Sequence, residues 1–300
     1  DVIGLARQLM ALPKEPSDAQ PIRGRFGRHP AELLGAEHSK ERDRKAVTYH
    51  YDVGNDFFKL FLDGRMVYSC AYFPTGEESL DAAQEAKLEH ICRKLRLRPG
   101  ERLLDIGCGW GALIMYAAER FGVDATGITL SQPQAGLANQ RIAEAGLSGR
   151  CRALVMDYRD VGNLDRFDKV VSVGMVEHVG QAKLPRYFQA AWQALKPGGL
   201  FMNHAITAAA GKSSGNLMDR YLFHRGEFIR KYVFPDGELI PVGDMLGLAE
   251  RTGFEVRDVE SLREHYALTL RHWVQRLEAN REEVLKQVDE RTYKVWRLYM

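Results

Sequence analysis

Apolar and polar positions switch between two periods along the middle of the chain. Apolar residues at helical spacing follow Ser79 and predict a capped helix that ends before Pro99. Short apolar runs predict five strands, at Arg102–Ile106, Ala125–Leu130, Arg152–Met156, Lys169–Gly174 and Leu200–Ile206. Helical patterns between them cover Ala112–Phe121, a segment ending at Ala145, and Lys183–Leu195. This alternation predicts an α/β fold, a doubly wound and mostly parallel sheet.

The flanking regions depart from this rhythm. Residues 13–45 are rich in Pro, Gly and charge, and we expect residues 1–45 to be an N-terminal arm or linker, the remnant of a larger N-terminal region. Residues 207–240 begin Gly/Ser-rich and become aromatic and basic, which predicts a helical lid insertion near the ligand-binding edge of the sheet. The remainder predicts a helix at Gly243–Thr252, a strand at Phe254–Ser261 and a helical segment at Thr269–Met300.

Composition narrows the class of protein. The 300 residues include 13 Phe, 12 Tyr and 4 Trp, which argues against disorder over the bulk of the chain. No apolar run reaches the roughly 18 residues of a spanning helix. A net charge of +2 argues against a dedicated nucleic-acid binder. The cysteines Cys70, Cys92, Cys108 and Cys151 have no CxxC spacing, so we expect reduced thiols and no metal site. Because the chain opens with Asp1, we expect its native start to lie upstream.

The most informative local pattern is a strand that runs into Gly107-Cys108-Gly109-Trp110-Gly111, directly after Asp105. Glycines let a backbone approach a ligand closely, and the start of the next helix offers free N–H groups. The spacing is tighter than in dinucleotide folds and resembles S-adenosylmethionine-dependent methyltransferases. A plain structural turn and a nicotinamide site remain the alternatives, and Asp105 could simply tie loop amides together.

Six further motifs extend the resemblance. They are His50–Asp56, Tyr68–Phe73, Thr129–Ser131 with Gln134, Asp157–Asp160, Ser172–Met175 with Glu177-His178, and His265-Tyr266 with Thr269-Leu270. Many such methyltransferases end the second strand with an acid that binds the ribose hydroxyls of the cofactor. This strand has no acid at its end, so an amide or a hydroxyl must bind the ribose instead. From about His50 to its end, the chain resembles the cyclopropane fatty acid synthase family, including the mycolic acid cyclopropane synthases.

The resemblance implies site residues. Those expected at S-adenosylmethionine (or S-adenosylhomocysteine) are Tyr68, Ser69, Asp105, Gly107, Cys108, Gly109, Trp110, Gly111, Thr129, Leu130, Gln134, Tyr158 and Arg159. Those expected around a catalytic bicarbonate are Cys70, Glu177, His204, Ile206 and Tyr266, with Cys70 and Ile206 acting through backbone. On sequence alone, a core histidine, a capping glutamate and a core tyrosine are the plainer interpretations of His204, Glu177 and Tyr266.

The resemblance also implies an activity. Residues 46–300 would be a methyltransferase domain that adds a methylene group to the cis double bond of an unsaturated phospholipid acyl chain and forms a cyclopropane. Methyl or methylene branching of the same chains, and methylation of a soluble small molecule, remain open. We expect the protein in the cytoplasm, peripherally associated with the inner face of the membrane through residues 217–234. A homodimer is left open, and no nucleic-acid partner is expected.

Overall fold

The computed structural model describes residue 33 and residues 35–51, 53–208 and 224–300. Its helices and strands follow in the order α1 Lys40–Tyr51, α2 Asn55–Lys59, α3 Leu80–Lys94, β1 Arg102–Ile106, α4 Ala112–Phe121, β2 Asp124–Thr129, α5 Gln132–Glu144, β3 Cys151–Val155, β4 Phe167–Val173, α6 Leu184–Ala194, β5 Leu195–His204, β6 Thr207–Ala208, α7 His224–Tyr232, β7 Ile240–Pro241, α8 Val242–Thr252, α9 Arg263–Ala279, α10 Arg281–Gln287 and α11 Glu290–Tyr299. The side chain of Ser79 accepts from Ala82 N–H at 3.3 Å and caps α3, as predicted.

The central sheet has five parallel strands in the order β3-β2-β1-β4-β5. Strand β1 lies in the middle, where Asp105 is level with Gly127 of β2 and Val171 of β4. Because all the strands are parallel, their carboxyl ends and the loops that follow meet at one edge. The predicted doubly wound parallel architecture is therefore confirmed.

Apolar layers cover both faces of the sheet. One core joins α3, α4 and α5 to the sheet, and the other joins α6 and α8 to the opposite face. A third cluster is largely aromatic and packs α2 against the C-terminal helices. Its fully buried members include Phe57, Phe58, Phe61, Trp273 and Trp296. This cluster fastens the C-terminal helices beside the carboxyl edge of the sheet.

Two strand predictions need correction. The predicted strand at Phe254–Ser261 was wrong, because this segment has no regular structure. Its alternating acids face α3, where Asp258 pairs with Lys94, and Glu260 pairs with both His90 and Lys94 at 2.8 Å. The fifth strand begins at Leu195 rather than Leu200, with a register irregularity against β4 between Phe167 and Lys169.

The predicted lid insertion is described only in part. Strands β6 and β7 pair in parallel and close its base, and α7 lies within it. Residues 209–223, including much of the predicted lipid-contacting segment 217–234, lie outside the described residues. Over the ranges that the structure describes, no helix combines the length and apolar character needed to cross a membrane.

Helix α1 runs through the predicted boundary between residues 45 and 46 and is fastened to the body of the fold. Arg42 makes a bidentate pair with Asp236, at 2.6 and 2.7 Å. His50 Nδ1 lies 2.6 Å from the carbonyl oxygen of Val233. Charge-assisted and buried contacts of this kind hold α1 across the carboxyl edge of the sheet.

Candidate functional site

The glycine turn after β1 has the backbone form that its sequence predicts. Gly107, Gly109 and Gly111 all have positive φ, at 91°, 53° and 84°. The N–H groups of Gly107 and Cys108 both donate to the carbonyl of Ile128, at 2.9 and 3.0 Å. A Cβ at Gly109 would meet no atom within 4 Å, so this glycine leaves open space beside the turn.

That open space is part of a cavity at the carboxyl edge of the sheet, here called the glycine-turn cavity. It encloses an empty volume of about 1130 Å³, part of it open to solvent. Twelve of the thirteen residues predicted at the cofactor site line it, namely Tyr68, Ser69, Asp105, Gly107, Cys108, Gly109, Trp110, Thr129, Leu130, Gln134, Tyr158 and Arg159. Gly111 does not line it and instead caps α4. The structure brings the predicted set together, and the role of each residue stays a prediction.

The end of β2 presents a hydroxyl and an amide where many related folds carry an acid. Thr129 Oγ1 donates to Gln134 Oε1 at 2.8 Å, and Thr129 Oγ1 also accepts from Ser131 N–H at 3.2 Å. All three side chains are buried. On the other side of the turn, the indole N–H of Trp110 donates to Asn55 Oδ1 at 2.8 Å. These bonds hold the polar wall of the cavity in one arrangement.

Arg159 forms ion pairs with two neighbouring carboxylates. It donates to Asp157 at 2.5 and 2.7 Å and to Asp43 of α1 at 2.8 Å, with its side chain only 5% exposed. The carboxylates of Asp157 and Asp43 help to raise the pKa of Arg159 despite its burial. Arg159 therefore closes the cavity by fastening α1, and Tyr158 packs under its guanidinium at 5.2 Å.

The cavity also contains titratable groups outside the predicted cofactor set, although Tyr51 and His178 belong to the motifs His50–Asp56 and Glu177-His178. Asp43, Tyr51, Lys87 and His178 line it. Burial lowers the pKa of His178 to about 4, so its ring is neutral. A signal for Lys87 was available in the sequence, because it falls on the apolar face of α3 with Leu80, Leu88 and Ile91. A lysine on a buried face requires an explanation.

A second cluster lies at the same edge of the sheet, around Glu177. Glu177 Oε1 accepts from the backbone N–H of Ile206 at 2.8 Å, while Oε2 has no partner among the described residues. Burial raises the pKa of the Glu177 carboxyl. Burial and Tyr299 raise the pKa of Tyr266, and Glu177 and Cys70 contribute to that shift. The raised pKa keeps the Tyr266 hydroxyl protonated, so it can act as a donor.

Cys70 and His204 complete the predicted catalytic set. The thiol of Cys70 contacts the carbonyl oxygens of Ala71 and Leu262, and burial raises its pKa to about 11. Burial lowers the pKa of His204 to about 4, and its Nδ1 has no partner among the described residues. The charge of Lys87 acts on both groups. None of the five predicted catalytic residues lines the glycine-turn cavity, although Cys70 and Glu177 are each next in the chain to a lining residue, Ser69 and His178.

Comparison with known proteins gives consistent matches over most of the chain. The family model for mycolic acid cyclopropane synthetase matches residues 38–300. A probable fatty acid methyltransferase of Pseudomonas putida is 48% identical over 88% of this chain and 66% of its own length. The cyclopropane-fatty-acyl-phospholipid synthase of Escherichia coli K12 is 37% identical over 87% of this chain and 64% of its own length. The chain thus spans just under two thirds of the length of these curated relatives.

Solved structures agree with the sequence matches. The mycolic acid cyclopropane synthase CmaA1, complexed with SAH and CTAB, superposes with a TM-score of 0.81 at 36% identity, over 85% of this chain and 90% of that one. The cyclopropane synthase MmaA2 from Mycobacterium tuberculosis gives 0.79 at 32% identity, over 88% and 93%. A coclaurine N-methyltransferase at 19% identity shares the class I methyltransferase fold. The chain belongs to the mycolic acid cyclopropane synthetase family.

Proposed function

We propose that this chain is an S-adenosylmethionine-dependent methyltransferase that converts the cis double bond of an unsaturated phospholipid acyl chain into a cyclopropane. The observation that carries the proposal is the Glu177–Ile206 hydrogen bond of 2.8 Å at the carboxyl edge of the sheet, next in the chain to His178 of the glycine-turn cavity. A donor of methyl groups and an acid-base cluster are the two components that ring formation requires.

The lining of the cavity fits S-adenosylmethionine. Gly109 leaves space for a ligand against the turn, and Thr129 and Gln134 offer hydroxyl and amide groups for a ribose. Asp105 Oδ1 is buried and has no partner among the described residues, which suits a ligand ammonium. When bound, the sulfonium supplies an electrophilic methyl group, and the enclosing wall aligns that group with the alkene.

The Glu177 cluster fits bicarbonate. Tyr266 and neutral His204 can each donate one hydrogen bond to the anion. The raised pKa of Glu177 favours its protonated form, in which the unpartnered Oε2 can donate to the anion; in the ionised form Oε2 would instead accept the proton of bicarbonate. The N–H of Ile206 is already taken by Glu177, so we expect Ile206 to contribute through its carbonyl oxygen. A bicarbonate held here would act as the base that removes a proton before ring closure.

Aromatic rings adjoin Tyr266 and would suit the positive charge that methyl transfer leaves on the alkyl chain. The ring of Tyr266 lies 6.3 Å from Trp273, and Tyr68 lies 5.2 Å from Trp273. A cation–π contact is worth about 0.5–2 kcal/mol. These faces would stabilise the carbocation until it is deprotonated.

Branching of the acyl chain without ring closure is the second candidate. Relatives at 48% and 41% identity carry the name probable fatty acid methyltransferase, which does not specify a ring. The two reactions share the carbocation. Loss of a proton from the transferred methyl group with closure of a carbon–carbon bond gives the ring, whereas loss of an acyl-chain proton gives a methyl branch, and loss of a methyl proton after a hydride shift gives a methylene branch; both branched products keep a double bond. Methylation of a soluble metabolite is the third candidate, and it needs neither the anion nor an acyl chain.

The substrate is part of a bilayer, so the protein must dock on lipid. We place it in the cytoplasm, peripherally on the inner face of the membrane. The described part of the candidate surface is α7, where Arg230 and Lys231 are exposed. Such basic residues favour anionic lipid, with binding that falls as salt rises. Equal sedimentation with neutral and anionic vesicles at low salt would count against this face.

Transfer of radiolabel from methyl-labelled S-adenosylmethionine to vesicles tests the function. We expect label in the fatty acids released from unsaturated phospholipid vesicles, and none from vesicles of matched saturated lipid. Equal labelling of the two lipids, or label confined to the aqueous phase, would contradict the proposal.

A further inference from the structure

Lys87 is a buried cation at the wall of the glycine-turn cavity. It is only 4% exposed, and its Nζ donates to Ser69 Oγ at 2.7 Å. That hydroxyl is neutral and satisfies one of the three N–H donors of an ammonium. Asp63 and Asp105 act on Lys87 electrostatically, but the carboxylate of Asp63 already accepts from the N–H groups of Arg65 and Val67 at 2.9 and 2.7 Å.

Asp105 is an acid in the same wall; burial raises the pKa of its carboxyl to about 7, and the charge of Lys87 opposes that shift. It lies at the end of β1, directly before the glycine turn, and is 3% exposed. Its Oδ1 makes no hydrogen bond with any residue that the structure describes. The wall therefore presents one cation and one acid to the same enclosed space. That arrangement complements a zwitterion, the charge state of an α-amino acid.

We propose that Lys87 binds the α-carboxylate of the amino-acid end of the cofactor, with Asp105 facing the α-ammonium. The inference rests on the proposed function, since it deepens the cofactor assignment of this cavity. It explains why a lysine occupies the apolar face of α3, where burial of an unpaired ammonium is costly. The hydroxyl of Ser69 accepts a hydrogen bond from Lys87 and holds the Lys87 ammonium at the cavity wall.

Titration calorimetry with two ligands and two variants tests whether Lys87 binds the α-carboxylate. The ligands are S-adenosylhomocysteine and its decarboxylated analogue, which keeps the nucleoside and the ammonium. We expect the parent to bind the decarboxylated analogue about 10- to 100-fold more weakly, as for the loss of a charged hydrogen bond. Lys87→Met should bind both ligands with equal affinity, close to that of the parent for the analogue.

Lys169→Met is the matched control. Lys169 is also nearly buried, at 9% exposed, but it lies on β4 beside Glu101 and does not line the cavity. This variant should keep the full preference of the parent for the carboxylate. If Lys87→Met keeps that preference, or if the folded parent does not distinguish the two ligands, the role of Lys87 is wrong. If the parent binds neither ligand, the proposed function itself fails.

Lys87→Met replaces a buried group, so its folding must be established independently. Retained affinity for the decarboxylated analogue shows that the cavity is intact. If Lys87→Met does not fold, Lys87→Gln, which keeps a donor for Ser69 without the charge, replaces it in the same comparison. A parent preference for the carboxylate supports a cation at this wall, and its absence overturns the assignment.

Discussion

The carboxylate of Glu177 accepts a hydrogen bond from the backbone N–H of Ile206 at 2.8 Å. Glu177 follows β4, and Ile206 follows β5, so this bond ties together the two loops at the ligand edge of the sheet. The other carboxylate oxygen of Glu177, Oε2, has no partner among the described residues, and burial raises the pKa of the carboxyl group. This is the position that a proton-sharing carboxyl beside an anion requires.

Glu177→Gln should therefore separate binding from turnover. The substitution keeps the shape and one acceptor oxygen but removes the acid-base function. We expect unchanged calorimetric affinity for S-adenosylhomocysteine and a turnover lower by about 10²–10⁴-fold. After bicarbonate has been removed from both proteins, added bicarbonate should raise the turnover of the parent and barely change that of the variant. A fully active Glu177→Gln would remove Glu177 from the mechanism.

The glycine turn gives a second prediction. Gly109→Val places its side chain in the open space beside the turn and should weaken S-adenosylhomocysteine binding by at least about tenfold, which corresponds to about 1.4 kcal/mol. Gly146→Val is the control, because Gly146 also has a positive φ and open space but does not line the cavity. It carries the same backbone strain. Equal affinities in calorimetry for Gly109→Val and the control would place the cofactor elsewhere.

Arg159→Met tests the closure of the cavity by α1. The substitution leaves Asp43 and Asp157 buried without their shared cation, and breaking a buried pair costs about 3–5 kcal/mol. We expect a loss of this size in urea unfolding. Limited proteolysis of the folded variant should begin within residues 35–51.

The control for that prediction is Arg152→Met, which breaks an exposed pair with Asp124. Exposed pairs contribute about 0–1 kcal/mol, so this variant should unfold much like the parent. Similar losses in the two variants would show that the Arg159 network does not fasten α1.

The neutral ring of His178 predicts a pH dependence of stability. Its pKa in the folded state is about 4, below the ordinary value of 6.5. The folded state thus favours the neutral ring, and that contribution is complete above 6.5 and lost as the pH falls towards 4. The free energy of unfolding of the parent, relative to His178→Asn, should fall by about 1–2 kcal/mol between pH 7 and pH 5. A constant difference in chemical denaturation would contradict the buried neutral assignment.

The sequence predicted the sheet and the glycine turn because both depend on local patterns, whereas the other residues of the cofactor wall were implied by the family resemblance. Short apolar strands between helices determine a parallel sheet, and a glycine turn after β1 must lie at its carboxyl edge. The strand predicted at Phe254–Ser261 was wrong because the same alternation of apolar and polar residues also occurs in an irregular segment whose acids pair with Lys94 of α3. Lys87 gave a signal as a lysine on an apolar helix face, but its position in the cavity, like that of Asp43, depends on how α3 and α1 pack. Packing between elements distant in sequence leaves no local motif.

The fate of the methyl hydrogens tests the central claim most directly. The protein is incubated with trideuteromethyl S-adenosylmethionine and unsaturated phospholipid vesicles. The masses of the released fatty acids are then measured by mass spectrometry before and after ozonolysis. Ring closure predicts a product that has lost one deuterium from the transferred methyl and resists ozonolysis, because the double bond is gone. A product that retains all the transferred deuterium, or one that ozone still cleaves, would contradict cyclopropane formation and identify a branching enzyme instead.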